Sequence, residues 1–243
     1  MLRHSLVALL AASVATQVHA AADKVEVDLF AEAGCPYCAH FTVTDVAPMF
    51  ENGLSDLITF RYIAWGNAKN FTKPEGQRNI SCQHGKTECE LNRLISCATH
   101  LHPEQNDWFP FVKCIEEDPE SATAAKCALL AKLDLTEIQL CASGSLGDQL
   151  EAEAAAETNA LQPAHQYVPW VVVNGIPLGS SYQSLQSVIC VATNAQRPKA
   201  CYDVPDDDSL SVEFPMADDD PDDWSLQPRP DLQAYPKNRI FVQ

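Results

Sequence analysis

Two cysteines separated by two residues, Cys35 and Cys38, are the residues of this sequence whose type and spacing point most directly to chemistry. In thiol-disulfide exchange, one thiolate attacks a disulfide and a second thiol resolves the mixed disulfide that forms. Pro36 suits the first turn of a helix, where its missing N–H costs nothing. At a helix start, unpaired N–H groups and the helix dipole favour a thiolate, with a pKa of roughly 3.5 to 7.5. The motif therefore predicts Cys35 as the nucleophile and Cys38 as the resolving thiol.

The same spacing also occurs in inert disulfides and in zinc sites. A structural zinc site needs a second ligand pair. The candidates are Cys82, His84 and Cys89, which form neither a second CxxC nor an HxxxH. Redox chemistry is therefore the favoured interpretation, and a simple structural bridge remains the main alternative.

Two ionisable residues flank the motif. His40 lies five residues after Cys35, and about 100° of rotation per residue turns it about 140° away, so we predict a surface or packing histidine. Glu32 immediately precedes the motif. Its charge would oppose thiolate formation at Cys35 unless an acidic compartment protonated it.

Alternating apolar residues place the CxxC at the corner between a strand and a helix. Residues 24–30 and 57–63 both alternate, and each predicts a strand. The helix that begins at the CxxC is expected to end or kink near Pro48. These elements form a βαβ unit with the CxxC at its first corner.

The rest of the chain predicts a helical block followed by a return to strands. Residues 66 to about 160 look mostly helical after a polar loop, and one helix carries the apolar stripe Leu91, Leu94, Ile95, Ala98 and Leu101. A strand signal returns at 168–173, Asn174-Gly175 is a hairpin turn signal, and a helix is expected over 181–193. This order predicts an α/β, thioredoxin-like fold with a helical, disulfide-stabilised insertion.

Pro169 precedes the late strand and would face the CxxC in this topology. A cis Val168-Pro169 bond is expected there, because the same position in such folds holds a cis proline. The cis bond would expose the backbone of Val168 to pair with an extended substrate. We therefore include Pro169 among the predicted site residues.

The N-terminus and the cysteine content predict the secretory pathway. Residues 1–20 combine a short positive start, an apolar run over 5–15 and the small-x-small end Val18-His19-Ala20, which is typical of a signal peptide. Later apolar runs are too short to span a bilayer. Two sequons begin at Asn70 and Asn79, and we predict glycosylation at both.

Ten cysteines in 243 residues are too many for a typical cytosolic protein. Eight remain beside the CxxC, and they could form four bridges in 105 ways. We expect Cys190 to pair with Cys201, Cys89 and Cys97 to share a helix face and reach other segments, and the bridges to be buried. The eight predicted structural cysteines are Cys82, Cys89, Cys97, Cys114, Cys127, Cys141, Cys190 and Cys201.

The net charge of −17 comes from 33 acidic and 16 basic residues, which argues against nucleic acid or an anionic membrane as partner. Residues 203–243 hold 11 acidic residues, 3 basic residues and 6 prolines. We expect an acidic, Pro-rich tail that is disordered or a pro-segment. The predicted organisation is a signal peptide (1–20), a thiol reductase domain (21–202) with an insertion over about 66–160, and the tail (203–243).

Residues 82–97, CQHGKTECELNRLISC, match the signature CQHGx2ECx2Nx4C of the gamma-interferon-inducible lysosomal thiol reductase family, and the similarity spans about residues 24–202. This resemblance implies a soluble, thioredoxin-like glycoprotein that reduces protein disulfides, best at acidic pH, in lysosomes or after secretion. Cys35 and Cys38 align with the redox pair of the family. The dipeptide Pro36-Tyr37 is that of glutaredoxins and differs from the Gly-containing dipeptide of the best-known mammalian members.

The combined prediction is a thiol-disulfide oxidoreductase that reduces disulfide-containing proteins. It is expected to need no metal or organic cofactor and to draw electrons from a small-molecule thiol. One alternative is an oxidase or isomerase on the same fold, because redox potential and compartment set the direction. The other is a non-enzymatic, disulfide-stabilised extracellular binding glycoprotein whose CxxC is a bridge.

Overall fold

The computed structural model describes residues 24–72, 78–117 and 124–202. The predicted signal peptide and the acidic tail lie outside these ranges. Among the helices of the described part, none is both long enough and apolar enough to cross a bilayer.

Four strands form the central sheet: β1 (Val25–Ala31), β2 (Ile58–Ala64), β5 (Trp170–Val173) and β6 (Ile176–Pro177). Their order is β2-β1-β5-β6, with β1 parallel to β2 and antiparallel to β5, and β5 antiparallel to β6. A parallel βαβ unit joined to a late antiparallel hairpin is the thioredoxin-like arrangement. The predicted fold class is confirmed.

Alternate side chains of the strands lie in two hydrophobic cores, one on each face of the sheet. Val27 and Leu29 of β1 are fully buried in the larger core, on the face that packs against the CxxC helix. Phe30 faces the opposite side, where it clusters with Trp170 of β5 and Ala155. Because successive side chains of a strand point to opposite faces, both faces of the sheet are covered.

The helices follow the predicted order. The CxxC helix α1 (Pro36–Phe41) continues as a π turn (Thr42–Val46) and a 3₁₀ turn (Ala47–Phe50), so regular helix ends before Pro48 as expected. The last helix, α7 (Leu185–Ala192), is preceded by a 3₁₀ segment (Gly179–Ser184) and is shorter than predicted. The insertion contributes α2 (Lys86–Leu101), α3 (Gln105–Glu117), α4 (Ala124–Ala131), α5 (Leu135–Ser143) and α6 (Ser145–Asn159).

The polar stretch before α2 differs from the predicted loop, because part of it pairs as a hairpin. Strands β3 (Lys69–Thr72) and β4 (Arg78–Ser81) run antiparallel, with Asn70 opposite Ile80 and Phe71 opposite Asn79. Each four-residue strand has one large apolar residue, Phe71 or Ile80, among polar ones, so the sequence shows no alternation there. Both sequon asparagines therefore lie on this hairpin, where Asn70 is exposed and Asn79 is half-buried.

Eight cysteines form four disulfides within the described residues. Cys190 pairs with Cys201, which is the local pairing that the sequence suggests. Cys97 on α2 pairs with Cys141 on α5, so it bonds to another segment as expected. Cys89 instead pairs with Cys82, only seven residues earlier, so the expectation of a distant partner is wrong for Cys89. The remaining bridge is Cys114–Cys127, between α3 and α4.

Burial differs between these bridges. Both sulfur-bearing residues of the Cys97–Cys141 and Cys114–Cys127 bridges are buried, as expected. The expectation is wrong for Cys82 and Cys89, which are half-buried because they lie in and beside the surface loop that precedes α2. It is also wrong for Cys201, which is half-buried in the 3₁₀ turn Lys199–Cys201, whereas its partner Cys190 is buried.

Candidate active site

The two cysteines of the CxxC occupy different environments at the end of β1. Cys35 is the residue that precedes α1, in extended conformation, and Cys38 lies in the first turn of the helix. Cys35 keeps 5% of its surface exposed, whereas Cys38 has 0%. Neither takes part in one of the four disulfides, so both are free thiols. Only Cys35 borders solvent.

The hydrogen bond between the two thiols moves their pKa values in opposite directions. It lowers the pKa of Cys35, because the Cys38 thiol donates to the Cys35 sulfur, and the backbone N–H groups of Tyr37 and Cys38 act in the same direction. Burial raises the pKa of Cys38 well above its usual value, and donation to Cys35 adds to this effect. The arrangement therefore favours a thiolate at Cys35 and a neutral thiol at Cys38.

Glu32 lies beside Cys35 and is fully buried. Its carboxylate accepts a hydrogen bond of 2.6 Å from the backbone N–H of Asn67 and lies 3.3 Å from Nε2 of His84. Burial raises the pKa of Glu32, and the bonds from Asn67 and His84 only partly offset that effect. When ionised, Glu32 raises the pKa of Cys35, as the sequence suggests. Protonation of Glu32 would thus favour the Cys35 thiolate.

Two glycines with positive φ allow this close packing. A Cβ at Gly66 (φ 57°) would lie 2.2 Å from Oε2 of Glu32, so any larger residue would displace the carboxylate. A Cβ at Gly34 (φ 86°) would lie 3.3 Å from Cβ of His84. Both positions therefore need glycine, for backbone conformation and for space.

The signature segment builds one wall of the site through its polar residues as well as its cysteines. Oδ1 of Asn92, buried on α2, accepts a hydrogen bond of 2.9 Å from the backbone N–H of Ala33, in the loop that leads to Cys35. Glu88 accepts a bond of 2.5 Å from the N–H of His84. Burial raises the pKa of Glu88 to about 7. These roles cannot be predicted from the sequence pattern, although the signature contains Asn92, Glu88 and His84.

Replacing Asn92 by alanine is expected to destabilise the protein by about 1 to 3 kcal/mol, because the buried N–H of Ala33 loses its acceptor. The loop before Cys35 would also lose its anchor to α2, so the rate of disulfide exchange should fall. Urea unfolding and an exchange assay measure the two effects. Glu90→Ala, on the exposed face of the same helix, is the matched control and should change stability by less than about 0.5 kcal/mol. Equal stability of Asn92→Ala and the control would contradict the anchoring role.

A third buried carboxyl lies behind Cys38. Glu116, at the end of α3, is 1% exposed and accepts a hydrogen bond of 2.7 Å from the hydroxyl of Tyr62 on β2. Burial, with smaller contributions from the charges of Cys35 and Glu32, raises the pKa of Glu116 to about 8, although the hydrogen bond from Tyr62 lowers it. An ionised Glu116 in turn raises the pKa of Cys38. The interior near the CxxC therefore favours protonated carboxyls.

Pro169 immediately precedes β5, and the Val168-Pro169 bond is cis. Because Phe30 pairs with Trp170, Pro169 comes level with Ala31, at the end of β1 that leads into the CxxC loop. His40, by contrast, is exposed and takes no part in the cluster. The fold thus places Pro169 at the CxxC end of the sheet and leaves His40 outside the site.

Comparison with known proteins gives the family. Residues 26–131 match the family described as Gamma interferon inducible lysosomal thiol reductase (GILT). The chain is 33% identical over 186 residues to the "Gamma-interferon-responsive lysosomal thiol protein" of Arabidopsis thaliana, covering 73% of this chain and 76% of that one. It is 32% identical to the "Gamma-interferon-inducible lysosomal thiol reductase" of Carassius auratus, covering 74% and 73%, and 31% identical to that of Mus musculus, covering 75% and 73%. The chain belongs to the gamma-interferon-inducible lysosomal thiol reductase family.

Proposed function

We propose that this protein is a thiol-disulfide oxidoreductase that reduces disulfide bonds of proteins through Cys35 and Cys38. The observation that carries the proposal is the asymmetry of the pair. Cys35 has a lowered pKa and borders solvent, whereas Cys38 has a raised pKa and is fully buried beneath it. An inert structural bridge needs no such difference, and family membership supports the same activity.

The reaction follows from that asymmetry. The Cys35 thiolate attacks one sulfur of the substrate disulfide, forming a mixed disulfide and releasing the other substrate sulfur as a thiolate that takes up a proton. Cys38 then loses its proton and attacks the Cys35 sulfur, which forms the Cys35–Cys38 disulfide and releases the second substrate thiol. Two electrons pass from the dithiol to the substrate. We further propose that two molecules of a small thiol return them to the protein, leaving as a small disulfide.

The surroundings of the CxxC suit a polypeptide substrate. Tyr37, between the two cysteines, is 61% exposed. The ring of Tyr182 lies 5.1 Å from that of Phe41 and 6.2 Å from that of Tyr167, which precedes the Val168-Pro169 pair. Aromatic side chains of this kind provide apolar contact area with a polar end. We propose that an extended segment of the substrate lies between these rings and the backbone before Pro169.

We propose an acidic working pH on the basis of Glu32. The titratable groups around it are Cys35 before α1, His84 in the loop before α2, Glu88 on α2 and Glu116 on α3. Burial raises the pKa of Glu32, and an ionised Glu32 raises the pKa of Cys35. Protonation of Glu32 at acidic pH therefore favours the Cys35 thiolate that attacks the substrate. This supports a lysosome or an acidic extracellular site as the place of action.

The reduction of a disulfide-bonded protein, measured with a small thiol as donor at about pH 4.5 and about pH 7, tests the function. The variant with both Cys35 and Cys38 replaced by serine is the blank. We expect a rate above the blank at both pH values, with the larger enhancement over the blank at the lower pH. A rate equal to the blank at both values would favour the non-enzymatic binding protein. Net formation of disulfides in a reduced substrate would favour the oxidase or isomerase.

Glycosylation at Asn70 and Asn79 is proposed on the sequons and on the β3–β4 hairpin that carries them. Asn70 is exposed, so a glycan can be attached without unfolding the strand, whereas Asn79 is half-buried. Treatment of secreted protein with an endoglycosidase, compared for Asn70→Gln and Asn79→Gln, identifies the modified residues. An unchanged mobility of the wild type after treatment would exclude both.

A further inference from the structure

Three side chains of different chemistry meet at the CxxC, and they come from separate parts of the fold. Glu32 follows β1, Cys35 precedes α1, and His84 lies in the loop before α2. One carboxylate oxygen, the thiol sulfur and one imidazole nitrogen all lie within 4.8 Å of one another. Disulfide exchange by the CxxC requires only the thiol of this group. The other two side chains complete a set of oxygen, sulfur and nitrogen donors.

The spacing between His84 and Glu32 equals that of two ligands on one tetrahedral ion. Nε2 of His84 is 3.3 Å from Oε1 of Glu32. Ligands at about 2.0 to 2.1 Å from a tetrahedral zinc ion are separated by about 3.3 to 3.4 Å, so this pair already has the required distance. The sulfur of Cys35 lies within 4.8 Å of both atoms. On a shared zinc ion the sulfur would be about 3.5 Å from each of them, so the Cys35 side chain moves closer when the ion binds.

The two ligands other than Cys35 are held in place by neighbours. The backbone N–H of Asn67 binds Oε2 of Glu32 at 2.6 Å, which leaves Oε1 directed at His84. The backbone N–H of His84 donates a hydrogen bond of 2.5 Å to Glu88, which fixes the loop that carries the imidazole. A bond to a ligand group itself, such as that from Asn67 to Glu32, orients a metal ligand and raises affinity. The side chain of His84 is 30% exposed, which opens a path for an ion and a fourth position for water.

We propose that the reduced protein binds one zinc ion through Glu32, Cys35 and His84, and that bound zinc and disulfide reduction exclude each other. Thiolate, imidazole and carboxylate are the ligands of zinc, whereas calcium and magnesium prefer oxygen alone. Only the reduced form qualifies, because in the Cys35–Cys38 disulfide no thiolate is left to bind. The ion would occupy the sulfur that attacks the substrate, so the metal is an inhibitor of the reaction and not a cofactor.

The site cannot be predicted from the spacing of its residues in the sequence. Cys82 and Cys89, the cysteines nearest to His84 along the chain, are bonded to each other and cannot bind a metal. No short ligand spacing links His84 to the CxxC, and they are brought together where α2 contacts the loop between β1 and α1, as in the hydrogen bond from Ala33 to Asn92. The binding claim stands on geometry alone, whereas the inhibition claim rests also on the proposed function.

Titration of the protein with Zn²⁺ and with Co²⁺ tests the site without any substrate. The CxxC is first reduced under conditions in which two free thiols are counted, so that the four structural bridges remain intact. We expect one ion per chain, and with Co²⁺ a thiolate-to-cobalt charge-transfer band together with the visible bands of tetrahedral cobalt. The oxidised protein should bind at least about 100-fold more weakly, and His84→Ala at least about 10-fold more weakly. His40→Ala, an exposed histidine near the same motif, is the matched control and should bind as the wild type does.

Absence of the cobalt band in the reduced wild type, or equal affinities of the wild type and the His84→Ala variant, would overturn the proposal. Glu32→Gln provides a second ligand variant if His84→Ala does not fold, and it should also weaken binding at least about 10-fold. Addition of zinc to the disulfide reduction assay then tests exclusion, and the rate should fall in proportion to occupancy. A protein that reduces disulfides but binds no metal overturns the site and leaves the function standing. One that binds zinc but reduces nothing supports the site and overturns the function.

Discussion

Replacing Cys35 by serine is expected to reduce the rate of disulfide reduction by at least about 10³-fold, to that of the thiol donor alone. Cys35 is the member of the pair that borders solvent and has the lowered pKa, so no other free thiol within the described residues can replace it. Serine is close in size and should leave the fold intact. The measurement is the rate of reduction of a disulfide-bonded protein, with circular dichroism as the check on folding.

The reciprocal variant, Cys38→Ser, separates the two roles. It retains the attacking thiol but cannot resolve the mixed disulfide, so a covalent adduct with substrate should accumulate on Cys35 and be visible by mass spectrometry after acid quenching. In Cys38→Ala, which has no side-chain donor, the pKa of Cys35 should rise, because the hydrogen bond from Cys38 is the main cause of its lowering. Recovery of the adduct on Cys38 in the Cys35→Ser variant would reverse the assignment.

The parts of the fold that local periodicity determines could be predicted from the sequence. Val27 and Leu29 alternate with polar residues because one face of β1 is fully buried, and the period of two is visible in seven residues. The apolar stripe of α2 is likewise confirmed, with Leu91 and Ile95 buried. The CxxC corner then follows from the strand before it and the proline after it. Such features depend on residues that are close in the chain.

The rest of the site depends on contacts between distant segments, which no local pattern encodes. The bond from Ala33 to Asn92 joins residues 59 positions apart, and the bridge from Cys97 to Cys141 joins residues 44 positions apart. Eight cysteines allow 105 pairings, so only the adjacent pair could be suggested from the sequence. The sequence predicts structural roles for the cysteines of the signature. It gives no sign that His84 and Asn92 of the same segment lie close to the CxxC loop, as they do in the structure.

Replacing Glu116 by glutamine is expected to flatten the dependence of stability on pH. The folded pKa of about 8 is raised above the ordinary value of 4.5, so the folded state binds the proton more tightly than the unfolded state does. The stabilisation from this group is complete below a pH of about 4.5 and is lost as the pH rises towards about 8. At 1.36 kcal/mol per pKa unit, the loss over that window is on the order of 5 kcal/mol.

In Glu116→Gln the loss of stability that comes from ionisation of Glu116 no longer occurs as the pH rises. The amide oxygen of glutamine can still accept the hydrogen bond from Tyr62, and no buried charge develops as the pH rises. Between about pH 4.5 and about pH 7, the free energy of unfolding of the variant should therefore fall by about 3 kcal/mol less than that of the wild type. Urea unfolding at several pH values, with the CxxC held in one redox state, measures the difference.

The adjacent Glu117, on the same helix but half-exposed and paired with Lys113, provides the matched control. Glu117→Gln should retain the pH dependence of the wild type, because water already solvates its carboxylate in the folded state. The buried Glu32 and Glu88 also have raised pKa values and leave some slope in every variant, so the comparison must be made between variants. Parallel curves for Glu116→Gln and the wild type would mean that Glu116 is ionised in the folded protein.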